Sequence, residues 1–275
     1  MTTFHPKSAT PPESRLVDIG DLSLRVTMHP GTGPDVLFVH GIASSGSEFD
    51  TVLGHVKDVM RPITVDLRGH GESDKPASGY HYRDYANDLD RLLDALGIEH
   101  PIIFGHSLGG ILTLWWAIHH PNRAQALMLE DVPLRSGEEF APAFDGWEQL
   151  NALPFEAARA YYREENPSWP DSLVETRARD ITTTRREAIT ELRAASMANE
   201  GLDTLEGLER ITVPVLFIHG DPETGSMVHP ADLAALPDRL SSVRTVRIPG
   251  GGHSMHRNRV EEWVEIVKGF MRDLV

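Results

Sequence analysis

An α/β fold built on a mostly parallel sheet is what this 275-residue chain predicts, and three observations predict it. Short continuous apolar runs recur at Val36–Val39, Ile102–Phe104, Ala126–Leu129, Val213–Ile218 and Val243–Ile248, as strands buried on both faces require. Segments with apolar residues at helical spacing stand between several of them. Most of the runs end in a loop carrying glycine together with histidine, serine or a carboxylate, and in open α/β sheets the carboxyl ends of the strands line the ligand crevice.

The elements follow in order. Leu16–Ile19 and Leu22–Met28 read as two strands joined through Gly20-Asp21, a hairpin signal. Pro30 to Pro34 is a turn, Val36–Val39 is a central strand, and His40-Gly41-Ile42-Ala43-Ser44-Ser45-Gly46 leads to a helix reaching about Asp58. Ile63–Val65 is a short strand ending at Asp66-Leu67-Arg68-Gly69-His70-Gly71. Tyr85, Leu89, Leu92, Leu93 and Leu96 mark a helix between Tyr82 and Leu96. The strand at Ile102 and the apolar helix after Gly110 come next, then Ala126–Leu129 ending at Glu130-Asp131. The last two strands end at His219-Gly220-Asp221-Pro222-Glu223 and at Gly250-Gly251-Gly252-His253, and a helix from Val260 to about Leu274 closes the chain. The total is eight strands.

Residues 134–209 break the alternation. They hold no strand pattern but carry helical segments at Pro154–Glu165, Asp171–Arg179 and Arg185–Met197, with aromatics that include Phe140, Phe144, Trp147 and Trp169. The expected organisation is therefore a flexible N-terminal arm over 1–15, an α/β core over 16–133 and 210–275, and a helical insertion over 134–209 following the sixth strand.

Composition narrows the function classes. A formal charge of −15 argues against nucleic acid or an anionic membrane surface as partner. The chain has no cysteine, which excludes disulfides, thiolate metal sites and a cysteine nucleophile. Met1–Arg15 is polar with Pro11-Pro12 and lacks the apolar centre of a signal peptide, and no run of 18 apolar residues occurs, so a cytoplasmic location is expected. His-Glu-x-x-His, Gly-x-x-x-x-Gly-Lys and a third glycine after Gly31-Thr32-Gly33 are all absent, so neither metal nor nucleotide cofactor is expected.

The chemistry centres on Gly105-His106-Ser107-Leu108-Gly109, set between a strand and a helix. Gly-x-Ser-x-Gly recurs by chance in a chain with 23 glycines, and its place at a strand-to-helix turn is what gives it weight. The flanking glycines let strand and helix backbones approach while the serine hydroxyl points outward.

Taken together, the Gly-His-Ser-Leu-Gly-Gly turn, His40-Gly41, Asp66-Leu67-Arg68-Gly69-His70-Gly71 and the late Gly252-His253 resemble the α/β-hydrolase fold across nearly the whole chain, with residues 134–209 in the position of a cap. Ser107 is the expected nucleophile. A serine hydroxyl needs a base within hydrogen-bond reach, and His253 at a strand end is the best of 14 histidines, with His219 and His256 next. His106 is expected to pack or hydrogen-bond beneath the turn, His40 to order the loop after it, and His119 and His120 to end a helix. The Leu108 amide should form one arm of an oxyanion hole; the resemblance points to Ile42 for the other. Two places for the acid stay open. The resemblance allows Asp131 directly after the sixth strand, as in some branches, or a carboxylate after the later strand, where the commoner pattern puts Glu223 and where Asp221 sits two residues early. Asp131 ranks first, Glu223 next and Asp221 third.

The expected activity is hydrolysis of a partly apolar small-molecule ester or lactone without a cofactor. Alternatives on the same three residues are a carbon–carbon bond hydrolase of ring-cleavage products and a cofactor-free perhydrolase. A non-enzymatic ligand receptor is a more distant one. A homodimer is left open.

Overall fold

β1 (Glu13–Asp18) and β2 (Ser23–Met28) form an antiparallel hairpin at the edge of an eight-stranded sheet. The structure, a computed structural model, describes residues 11–198 and 206–274. β2 pairs antiparallel with β4 (Arg61–Val65), and every later pairing is parallel. β3 (Asp35–Val39) lies between β4 and β5 (Ile102–His106), followed by β6 (Ala126–Glu130), β7 (Val215–His219) and β8 (Val243–Arg247), giving the order β1-β2-β4-β3-β5-β6-β7-β8.

The two-residue period of a strand explains why the central runs are apolar throughout. Val36, Phe38, Ile102, Phe104, Ala126 and Met128 face one layer, built on α1 (Asp50–Val56) and α10 (Val260–Asp273). Leu37, Val39, Ile103, Leu127 and Leu129 face the other, built on α2 (Tyr82–Ala95) and α3 (Leu108–His119). Both faces are covered, so alternation with polar residues would bury unpaired polar groups. α10 is amphipathic by contrast: Trp263, Val267, Phe270 and Met271 are buried and its other side is wet.

Among the described residues, four α-helices stand between β6 and β7: α4 (Ala141–Asn151), α5 (Phe155–Glu165), α6 (Asp171–Thr183) and α7 (Arg186–Met197). The first has no counterpart among the helices expected there, and α6 runs four residues past Arg179. α8 (Pro230–Arg239) and the short α9 (Met255–Asn258) complete the chain. The arm expected over 1–15 falls outside the described residues up to residue 10, and its last three positions belong to β1. Glu13, Ser14 and Arg15 are exposed and join the sheet through backbone pairing with Met28, Thr27 and Val26, which an apolar pattern does not reveal. The helix expected to reach Asp58 ends at Val56. Among the described residues no helix is long and apolar enough to cross a membrane.

Candidate active site

β5 ends at His106 and α3 begins at Leu108, so Ser107 alone makes the turn, at φ 52° and ψ −119°. Such a conformation costs of order 1–3 kcal/mol for a residue with a side chain and persists only where its surroundings enforce it. Here Ser107 N–H donates to the Glu130 carbonyl at 3.0 Å, and the Gly110 and Ile111 amides close onto the Ser107 carbonyl at 2.9 and 3.1 Å. The close approach needs glycine on both sides. A Cβ at Gly105 would meet the Gly109 carbonyl oxygen at 2.5 Å, and one at Gly109 would meet the Val39 carbonyl oxygen at 2.0 Å.

His253, on the loop between β8 and α9, brings Nε2 to 2.9 Å from Ser107 Oγ and Nδ1 to 2.7 Å from Asp131 Oδ2. Asp131 follows β6, adopts φ 47° and is fully buried. Its Oδ2 also accepts the Met227 amide at 2.8 Å, and its Oδ1 accepts Ser226 Oγ at 2.5 Å. A carboxylate with these donors is held in one orientation, so the His253 proton sits on Nδ1 and the Nε2 lone pair faces the serine.

Neither of the other two carboxylates comes to His253. Asp221 accepts Arg247 Nε at 2.5 Å and the Gly250 amide at 2.8 Å, and those two bonds hold its carboxyl down at about 2. Glu223 is exposed in a helical turn over Pro222–Thr224.

The Ile42 and Leu108 residues lie beside Ser107 along one pocket. Leu108 opens α3, where backbone amides have no intrahelical acceptor and the helix dipole favours negative charge. The loop carrying Ile42 is tied on either side: the Gly41 amide donates to Glu48 Oε2 at 2.8 Å and the Ala43 amide to His70 Nε2 at 3.2 Å. His40 caps the same loop, donating through Nδ1 to the Gly41 carbonyl at 2.7 Å and accepting the Leu67 amide on Nε2 at 3.0 Å. Burial lowers both imidazoles, His70 to about 3, which keeps them neutral with the tautomers these bonds require.

The pocket is mostly apolar, with Ile111, Phe144, Trp147, Leu192 and Met227 among its walls. Its charged lining residue is Arg135, whose Nε and Nη2 grip Asp232 at 2.8 and 2.6 Å.

Beneath the turn, where His106 is expected, lies a buried charged network whose carboxylates and arginine the sequence does not announce. Glu48 Oε1 contacts Arg257 Nη2 and lies 3.0 Å from His106 Nδ1. His106 Nε2 donates to the His253 carbonyl at 2.8 Å. Glu130 accepts His256 Nδ1 at 2.9 Å, Trp263 Nε1 at 2.8 Å and the Met255 amide at 2.6 Å. Adjacent strand residues point to opposite faces, so Glu130 serves this network while Asp131 serves His253. No local motif announces Glu48 or Glu130, because their partners lie at the far end of the chain. His256, a runner-up for the base, belongs to this network. His219 bonds its neighbour's carbonyl through Nδ1, and His119 and His120 bond carbonyls within α3.

Glu48, His106 and His256 bring donor atoms within 4.8 Å of one another, the geometry of a small cation site. The donor set does not fit a metal. Arg257 already compensates Glu48, and His106 directs an N–H, not a lone pair, at the His253 carbonyl.

A family model described as the alpha/beta hydrolase fold matches residues 34–258. Among curated proteins, the 2-(acetamidomethylene)succinate hydrolase of Mesorhizobium japonicum is 31% identical over 266 residues, covering 94% of this chain and 95% of that protein. The crystal structure of an E-2-(acetamidomethylene)succinate hydrolase superposes with a TM-score of 0.78 at 29% identity over 95% of this chain and 99% of the other. The structure of an enzyme described as degrading N-acyl homoserine lactones does so with a TM-score of 0.73 at 22% identity, over 93% of this chain and 100% of the other.

Proposed function

The chain belongs to the α/β-hydrolase fold family, and on that premise we propose that it is a serine hydrolase cleaving a carboxylic ester or lactone through an acyl-enzyme on Ser107. The observation that carries this reading is the double contact of His253, 2.9 Å to Ser107 Oγ through one ring nitrogen and 2.7 Å to the buried Asp131 carboxylate through the other. Ser107 Oγ adds to the substrate carbonyl as its proton passes to His253 Nε2. Asp131 stabilises the imidazolium so formed without taking its proton. The oxyanion rests on the Ile42 and Leu108 amides, whose loop and helix positions are fixed before substrate arrives. His253 then protonates the departing alkoxide, the carbon–oxygen bond breaks, and water deprotonated by the same ring releases the acid. Residues 134–209 act as a cap, supplying the Phe144, Trp147 and Leu192 walls and hence selectivity.

A second reading concerns the scissile bond. Arg135 is the charged side chain lining the mostly apolar pocket next to Ser107, and the relative at 31% identity is named for a substrate bearing carboxylates. The same attack on an acyl–nitrogen bond would make a small anionic amide the substrate. A panel of p-nitrophenyl esters, lactones and 2-(acetamidomethylene)succinate, run on wild type and Ser107→Ala, tests both. Turnover of esters or lactones that disappears in Ser107→Ala is the expected result. Turnover confined to the anionic amide selects the second reading, and undiminished activity in Ser107→Ala overturns both. Vinylogous diketones and phenol bromination test the carbon–carbon and perhydrolase alternatives.

A further inference from the structure

His106 is the last residue of β5, directly before the nucleophile, and its buried ring lies beneath the turn, bonded to the His253 carbonyl. Its protonation follows from what surrounds it. The His253 carbonyl can only accept, so Nε2 at 2.8 Å must carry a proton. Nδ1 lies 3.0 Å from the Glu48 carboxylate, within ion-pair distance though off the line of an ideal N–H···O bond. A bare lone pair at that distance from a carboxylate would be repelled, so Nδ1 is protonated too. The charges then balance locally: the carboxylates of Glu48 and Glu130 face the guanidinium of Arg257 and one imidazolium. His106 is the nearer claimant to that charge: its Nδ1 stands 3.0 Å from Glu48 Oε1 against 3.6 Å for His256 Nε2, and burial lowers the His256 ring despite Glu130. For His106, burial opposes the charge, but Glu48 and then Glu130 outweigh it and raise the ring above the ordinary histidine range.

We propose that His106 is a standing imidazolium and that its ion pair with Glu48 is a positioning device for the reaction. The pair joins the Gly41 amide, one residue ahead of the oxyanion-hole residue Ile42, to the carbonyl of the base His253. One carboxylate thus holds the oxyanion loop through Oε2 and, through the imidazolium, the backbone that carries the base. Neither His106 nor Glu48 touches substrate. The charged and titratable groups around the pair are Arg257 and His256 from α9, His253 before it, Glu130 at the end of β6, His40 after β3, and Arg177 with Asp180 from α6. Deprotonation would leave a lone pair against Glu48 and release the loop. Because the folded state raises this ring, the clamp is intact below the ordinary histidine range and is lost as pH rises through the raised value.

The proposal rests on the serine-hydrolase reading for its activity arm only. Nitrogen-15 NMR of wild-type histidine rings at neutral pH should show both His106 nitrogens protonated, whatever the protein hydrolyses. On the substrate identified above, kcat against pH should fall at alkaline pH in wild type. In His106→Gln, whose amide keeps a donor for the His253 carbonyl without a charge, that alkaline fall should vanish. Glu48→Gln should lower kcat by about tenfold or more with little change in KM, as loss of oxyanion alignment requires. A neutral His106 ring at neutral pH overturns the proposal, as does an alkaline fall that persists in His106→Gln. Turnover retained by Ser107→Ala would instead refute the hydrolase reading and leave the NMR result standing.

Discussion

Replacing Gly109 by alanine tests whether the serine turn depends on backbone contact. A Cβ there would lie 2.0 Å from the Val39 carbonyl oxygen, 2.6 Å from its carbon and 2.8 Å from the His40 carbonyl oxygen. Ordinary contact begins near 3.4 Å, so a gap of about 1.4 Å must open at Val39. Val39 cannot give way easily, because it pairs with Val65 on one side and Gly105 on the other in the middle of the sheet. Overpacking costs about 1–3 kcal/mol, and an immovable backbone places this case near about 3 kcal/mol. For a chain of this size each kcal/mol moves the melting temperature by about 2–4 °C, so a fall of roughly 6–12 °C is expected. Since α3 must move relative to β3, Ser107 and the Leu108 amide move from the Ile42 loop, and kcat should drop by about a hundredfold. The control is Gly269→Ala in α10, where a Cβ meets nothing within 4 Å and stability should rise by about 0.5–1 kcal/mol. Thermal unfolding and ester turnover on the two variants decide the matter. A Gly109→Ala protein melting within about 1 °C of wild type would show that the serine turn does not depend on this contact.

Three other outcomes are expected. Asp131→Asn should lower kcat by about 10⁴-fold through loss of the correct His253 tautomer, while Glu223→Gln and Asp221→Asn stay near wild type in the same assay. Burial by itself raises Glu130, but His256 and His106 pull it down to about 2, so its contribution is present above the ordinary 4.5 and lost as pH falls from there toward 2. Acid titration of Glu130→Gln should lack the corresponding loss. Trp147 lines the pocket and packs edge-on against Phe144 at 5.2 Å, so Trp147→Ala should favour longer acyl chains, raising the kcat/KM ratio of octanoate to acetate esters by about tenfold or more.

The central strands were legible because a sheet covered on both faces leaves only one kind of residue to use, and Val36–Val39 and Ile102–Phe104 show it. The serine turn was legible for a related reason, since Gly105 and Gly109 are fixed by contacts that any Cβ would violate. β1 was legible only from Leu16, because an edge strand gains its pairing from backbone, and Ser14 Oγ meets Thr27 Oγ1 at 2.9 Å without an apolar pattern. α4 was missed because it buries only Phe144 fully. Which carboxylate meets His253 could not be read along the chain, since it depends on how Asp131 turns at φ 47° and on Ser226 and Met227, roughly a hundred residues away. The Glu48–His106 pair and the Glu130 network are likewise long-range, joining the β3 loop to α9 and α10.

The chemistry proposed above depends on Ser107 being a nucleophile activated by His253. Intact-mass measurement after treatment with an activated fluorophosphonate tests it most directly, because the reagent labels a serine only where a base and an oxyanion hole act on it. One adduct per chain is expected, mapped to Ser107, absent in Ser107→Ala and strongly slowed in His253→Ala. No adduct on folded wild-type protein, or an adduct on another residue, would contradict the claim.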